Sequence, residues 1–141
     1  MLIDPAVADR AALLRLYGSV FEQAGIFGDG EEVARRLLER ERVLSTGIGG
    51  GIAVPHAQVP GLGRLAIAAS THPGGIPYPA VDGRPVQLTF CLIGDSRTAA
   101  DHLAGLARLA RFACRAEFIA GLIAARTGDD FMARLTRLEG E

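Results

Sequence analysis

A glycine-rich stretch closed by a proline and a histidine, STGIGGGIAVPHA over residues 45–57, restricts the folding of this chain more than any other segment. Glycines at 47, 49, 50 and 51 let the main chain turn through positive φ or pass close to a ligand, because no Cβ obstructs either. Ile52, Ala53 and Val54 read as a short strand, and Pro55, lacking an N–H, is expected to stop its ladder. His56 then falls where a strand ends and a loop begins, held by a rigid element yet reachable. The glycines admit two readings. Their N–H groups converge beside the imidazole as an anion nest, or they make a tight turn and nothing more.

Composition narrows the chemistry. With 141 residues, 49% of them hydrophobic, the chain fits a single domain over residues 1–141 with one packed core. Fifteen basic residues against sixteen acidic ones leave a net charge of −1, which gives no electrostatic case for nucleic acid as partner. All fifteen are arginine. Without lysine there is no Walker-type phosphate loop and no Schiff-base chemistry. Ile52 occupies the place of the last glycine in a GxGxxG fingerprint, and no G-x-S-x-G elbow occurs. His56, His72 and His102 lie 16 and 30 residues apart with no HExxH or CxxC, so no metal site is proposed locally. Cys91 and Cys114 read as two buried thiols, and His72, before Pro73, reads as loop surface. With neither a secretory signal nor a membrane-length apolar run, the expectation is a cytoplasmic protein that is not membrane-embedded.

Periodicity supplies the elements. Leu13, Leu16, Tyr17, Val20, Phe21 and Ala24 share one helical face between a cap at Asp9 and a stop at Gly25. A capping-box spacing at Asp29 and Glu32 opens a second helix, expected to run to about Glu41, with Val33, Ala34, Leu37 and Leu38 inward and Arg40 on its last turn. Residues 65–71 and 86–93 read as strands, the second buried on both faces, with a Pro/Gly loop over 73–85 between them. Three helices follow, near 101–113, over 116–126 and after Thr127. Helices on both sides of the strands in sequence imply an α/β fold with a central mixed β-sheet covered by helices on both faces.

The residues quoted above, together with Arg40, Glu41 and Arg42 ahead of the glycines, resemble the active-site signature of type-2 enzyme IIA domains of the bacterial phosphoenolpyruvate-dependent phosphotransferase system, the fructose/mannitol and nitrogen-regulatory group. The resemblance continues through AVDGRPVQLTFCLIG (80–94) and DHLAGLARLARF (101–112) in the family's order and spacing. It implies that His56 accepts a phosphoryl group from the histidine phosphocarrier protein. It also implies that Arg40 is the family's upstream arginine and His102 its second active-site histidine, supporting the phosphorylated state. An imidazole nitrogen is nucleophilic near neutral pH, and phosphoryl transfer asks mainly for positioning and charge neutralisation. Arginine suits a phosphate through its fork of donors, although Arg40 also stands where it can answer a helix C-terminus. His102, near a helix start, is expected to be held neutral there. Thr46 and Gly47 complete the expected phosphoryl-supporting set, Thr46 as a hydroxyl donor or else as a turn residue only. No cofactor and no metal is implied.

Expected partners are the histidine phosphocarrier protein as donor and, downstream, regulatory target proteins or an enzyme IIB. With no permease segment in its 141 residues, the chain resembles the nitrogen-regulatory branch more than a transport polypeptide. The alternatives are a sugar-specific enzyme IIA component of a transporter, or a non-catalytic interaction module that keeps the fold.

Overall fold

The computed structural model describes residues 1–139. Helix α1 (Arg10–Gln23) starts where the Asp9 carboxylate takes the Ala12 N–H at 2.9 Å, and α2 (Gly30–Val43) starts on Asp29 in the same way, through Glu32 N–H at 3.1 Å. The two helices lie against each other at glycines. A Cβ on Gly18 would stand 2.3 Å from the Gly30 carbonyl oxygen, so only glycine allows this approach.

The sheet is built around β6 (Val86–Gly94), whose residues are almost all buried. On one side it pairs antiparallel with β5 (Ala66–Ile76), and β5 pairs parallel with the short β1 (Leu2–Ile3). On the other side β3 (Ile52–Ala53) and then β4 (His56–Gln58) run parallel to β6, and β2 (Gly47–Gly49) closes the edge antiparallel to β3. Helices α1 and α2 cover one face through Leu13, Tyr17, Val33 and Leu37. Helices α3 (Ala99–Ala113), α4 (Ala116–Ile123) and α5 (Gly128–Glu139) lie at the other, where Leu106, Ile119, Leu122 and Phe131 meet Ile52, Leu88 and Leu92. This is the mixed, doubly covered sheet that the sequence predicts.

Three local expectations are corrected. The segment 73–85 is not all loop: β5 continues to Ile76, which pairs with Val86, and the register shift between Thr71 and Ile76 absorbs Pro73. His72 is therefore a core residue at 2% exposure, its Nε2 2.7 Å from Ser70 Oγ in a buried group with Tyr17 OH and Thr89 Oγ1. Cys91 is buried as expected, but Cys114 is exposed, because α3 ends there and its last turn faces solvent.

Candidate active site

Pro55 interrupts a strand without ending the ladder. Ile52 and Ala53 pair with Leu88 and Thr89, and after Val54 and Pro55 the pairing resumes from His56 opposite Leu92. Proline lacks the donor but keeps its carbonyl, which accepts the Leu92 N–H at 3.0 Å. His56 thus begins a strand rather than a loop. Its Nδ1 lies 2.8 Å from the Val54 carbonyl oxygen. A carbonyl only accepts, so Nδ1 carries the proton and Nε2 presents a lone pair in the neutral ring. Burial lowers the His56 pKa from its usual 6.5; the Val54 bond and the Glu41 charge oppose this, and Arg40 reinforces it.

His102 reaches the same place from α3. A 3-10 turn over Ser96–Thr98 feeds that helix, capped by Asp95, which takes the Arg97 N–H at 2.9 Å while its own N–H donates to Thr98 Oγ1 at 2.9 Å. Asp95 also takes the Gly63 N–H, tying the turn to the loop after β4. The result sets His102 edge-on to His56, ring centroids 5.3 Å apart, with the residue only 7% exposed. Its pKa is lowered, as expected, but mainly by burial and then by His56. Its buried Nε2 has no hydrogen-bond partner among the described residues, the condition of a donor or acceptor waiting for a ligand.

Arg40 comes from the last turn of α2. Its NH1 donates to the Leu44 carbonyl at 2.8 Å, so it does answer the helix C-terminus. It also lines, with His56 and His102, an open cleft of about 310 Å³, with Leu103 at 70% exposure beside it. The structure therefore brings three of the five expected residues together.

Thr46 and Gly47 are not among the residues lining that cleft. Thr46 is 5% exposed, and both its N–H and its hydroxyl donate to the Glu41 carboxylate. Gly47 packs so closely on the 79–80 segment that a Cβ would meet the Pro79 oxygen at 2.3 Å. Gly49, Gly50 and Gly51, all at positive φ, form the turn from β2 to β3, and the Gly50 N–H goes to Asp82 Oδ2 at 2.9 Å. The glycines make a tight turn, and none of them is among the residues lining the cleft with His56. The residue that sequence reading missed is Glu41, 4% exposed. Its signal was its position: four residues after Leu37, it continues the buried stripe of α2.

The family model for the phosphoenolpyruvate-dependent sugar phosphotransferase system, EIIA 2, matches residues 1–137. The chain belongs to this family. Among curated relatives of this enzyme IIA chain, the nitrogen regulatory protein of Bradyrhizobium diazoefficiens is 39% identical over 75 residues, covering 53% of this chain and 49% of that protein. The fructose-specific EIIABC component of Bacillus subtilis is 34% identical over 111 residues, 79% of this chain and 18% of the longer protein. The chain thus spans half or less of these two relatives. Among solved structures, the nitrogen regulatory protein IIA-Ntr of Neisseria meningitidis superposes with a TM-score of 0.86 at 26% identity, covering 95% of this chain and 90% of that one. The family thus holds both nitrogen-regulatory and sugar-specific members. Among the described residues, no helix is long and apolar enough to cross a membrane.

Proposed function

We propose that this chain is a phosphocarrier that takes a phosphoryl group onto His56 Nε2 from the phosphorylated histidine phosphocarrier protein. The observation that carries the reading is the Nδ1–Val54 bond, which leaves Nε2 as the nucleophile in a cleft shared with Arg40 and His102. In the transfer, the Nε2 lone pair forms a bond to phosphorus as the donor's N–P bond breaks, and the electron pair leaves with the donor imidazole. The His56 proton stays on Nδ1 throughout, so no separate base is needed. Arg40 supplies charge and donors to the phosphoryl oxygens, and the unpartnered His102 Nε2 meets one of them. Thr46 acts behind the site rather than on the phosphoryl group.

The onward step is proposed as regulatory, through target proteins that distinguish the free ring from a phosphorylated one carrying close to two negative charges. Its support is the likeness to nitrogen regulatory proteins in sequence and in fold. Incubation with phosphoenolpyruvate, the first enzyme of the relay and its histidine phosphocarrier tests the acceptor: an acid-labile, alkali-stable adduct is expected, and none in His56→Ala. No adduct on the wild-type chain with active donors overturns the carrier reading in favour of a binding module. Restoration of sugar phosphorylation in a reconstituted membrane system would overturn the regulatory step alone.

A further inference from the structure

Behind the cleft, the Glu41 carboxylate holds more than its share of hydrogen bonds. Its side chain is 1% exposed. Oε2 accepts the Thr46 N–H at 3.1 Å and Arg10 NH1 at 3.4 Å; Oε1 accepts the Tyr78 hydroxyl at 2.6 Å and the Thr46 hydroxyl. Each oxygen thus receives two donors, which fills the capacity of an ionised carboxylate. A buried carboxylate so fully satisfied fixes its neighbours in place, because moving any of them strands a charge in the core.

What it fixes leads to His56. The Thr46 carbonyl accepts the Val54 N–H at 3.0 Å, and the Val54 carbonyl accepts from His56 Nδ1 at 2.8 Å. A succession of hydrogen bonds therefore runs from the Glu41 carboxylate through Thr46, just before β2, and Val54, just after β3, to the imidazole. Arg40, which lines the same cleft, is the residue immediately before Glu41 on α2. One buried side chain thereby ties the helix that brings the arginine to the strand that orients the histidine.

We propose that Glu41 is a positioning residue for transfer at His56, holding through Thr46 the Val54 carbonyl that selects the Nδ1–H tautomer, and keeping Arg40 in register with the ring. The proposal rests on the carrier reading for its consequence but not for its geometry. Thr46 and Glu41 together explain why a threonine precedes the glycines: it is the handle by which α2 holds the hairpin. The charged and titratable groups facing Glu41 are Arg10 from α1, Tyr78 from the 77–85 loop and Cys91 from β6, with His56 and Arg40 beyond. Burial, and then the Glu41 charge and hydrogen bond, push the Tyr78 phenol far above its usual range, so that it stays a donor to Glu41.

The test is Glu41→Gln, which keeps shape and removes the charge, read by ring-nitrogen NMR of His56 and by the rate of phosphoryl uptake. The expected result is a His56 pKa lower than in wild type, because a charge that raises it is gone, with a larger population of the Nε2–H tautomer. Uptake falls roughly tenfold to a hundredfold, the scale of a misplaced reacting group. Glu41→Asp restores the charge and part of the rate. If Glu41→Gln does not fold, Thr46→Val deletes one donor and is expected to shift the His56 tautomer in the same direction by less. A His56 ring that titrates and tautomerises as in wild type in the folded variant overturns the proposal. A wild-type chain that takes no phosphoryl group overturns the carrier reading instead, while the NMR arm still decides the role of Glu41.

Discussion

His56 and His102 meet edge to face, their centroids 5.3 Å apart and their planes at 75°. Two imidazoles this close do not both hold a proton readily, and the pKa of His102 is lowered by His56 after burial. Removing the first ring therefore has a definite sign. In His56→Ala, His102 loses a like-charge neighbour and gains solvent, and its NMR titration midpoint is expected to rise. Phosphorylation of wild-type His56 should raise it further, because a dianion then faces the ring. A midpoint unmoved in both states would mean that the rings do not communicate.

Gly94 seats the second ring. A Cβ there would lie 2.5 Å from Thr98 Oγ1 and 3.5 Å from His102 Nδ1, so Gly94→Ala strikes the turn that aims α3. The substitution is expected to destabilise by about 1–3 kcal/mol in urea unfolding, the range of overpacked sites. Uptake of phosphate should fall by more than the loss of folded protein accounts for. Wild-type uptake per folded molecule would remove Gly94 from the site.

Arg40 divides its work between a helix end and the cleft, and the two roles separate experimentally. Its structural partner is one main-chain carbonyl at an exposed position, so Arg40→Ala should leave unfolding nearly unchanged. Uptake should drop by roughly a hundredfold, as when one donor to a developing anion is removed. Arg40→Lys keeps the charge without the fork and should recover only part of that. Equal rates in all three proteins would leave the arginine with its helix-end role alone.

Asp82 holds the glycine turn from outside, accepting from Gly50 N–H and from Arg84 N–H. Its carboxyl is drawn below the usual range chiefly by the Gly50 bond. Asp82→Ala should accelerate hydrogen exchange at Gly50 while leaving the His56 tautomer intact, because Asp82 holds the tip of the hairpin and the Glu41–Thr46 attachment holds its base. Unchanged exchange would show the turn to be held by its neighbours.

The sequence made the site legible where side-chain chemistry and periodicity coincide. Asp9 and Asp29 announce their helices because a cap is a local event, and both cap as read. Arg40, His56 and His102 were placed by family resemblance and meet in one cleft. What stayed hidden depended on partners distant in sequence. Gly50 bonds an aspartate 32 residues away, and without that contact its glycine turn looks identical to an anion nest. His72 followed the rule that proline ends strands, but a register shift in β5 let the ladder resume beyond Pro73. Glu41 follows the helical period of Val33, Ala34 and Leu37, but a charged residue ordinarily marks a solvated face, so the period alone does not show that it is buried.

His72 gives the fold an acid limit. It is 2% exposed, its Nδ1 has no partner among the described residues, and burial lowers its pKa from 6.5 against a smaller opposing effect of Asp4. Unfolding releases the ring into water, where it titrates at the ordinary value, so below pH 6.5 the unfolded chain binds the proton first. The stability associated with a neutral His72 is complete above that value and declines as pH falls through the window down to the folded-state pKa. His56 and His102 have the same sign. The lowered carboxylates Asp82, Asp95 and Asp130 act only under about 3.8, well outside this window. Each such ring contributes at most about 1.4 kcal/mol per pH unit. Urea unfolding of wild type and His72→Gln between about pH 7.5 and 5.5 reads the slope directly, on the scale set by that limit. The variant should start less stable, because its amide replaces a fitted ring beside Ser70, yet lose less on acidification. Parallel slopes for the two proteins would show that His72 takes up its proton in the folded state as readily as in the unfolded one.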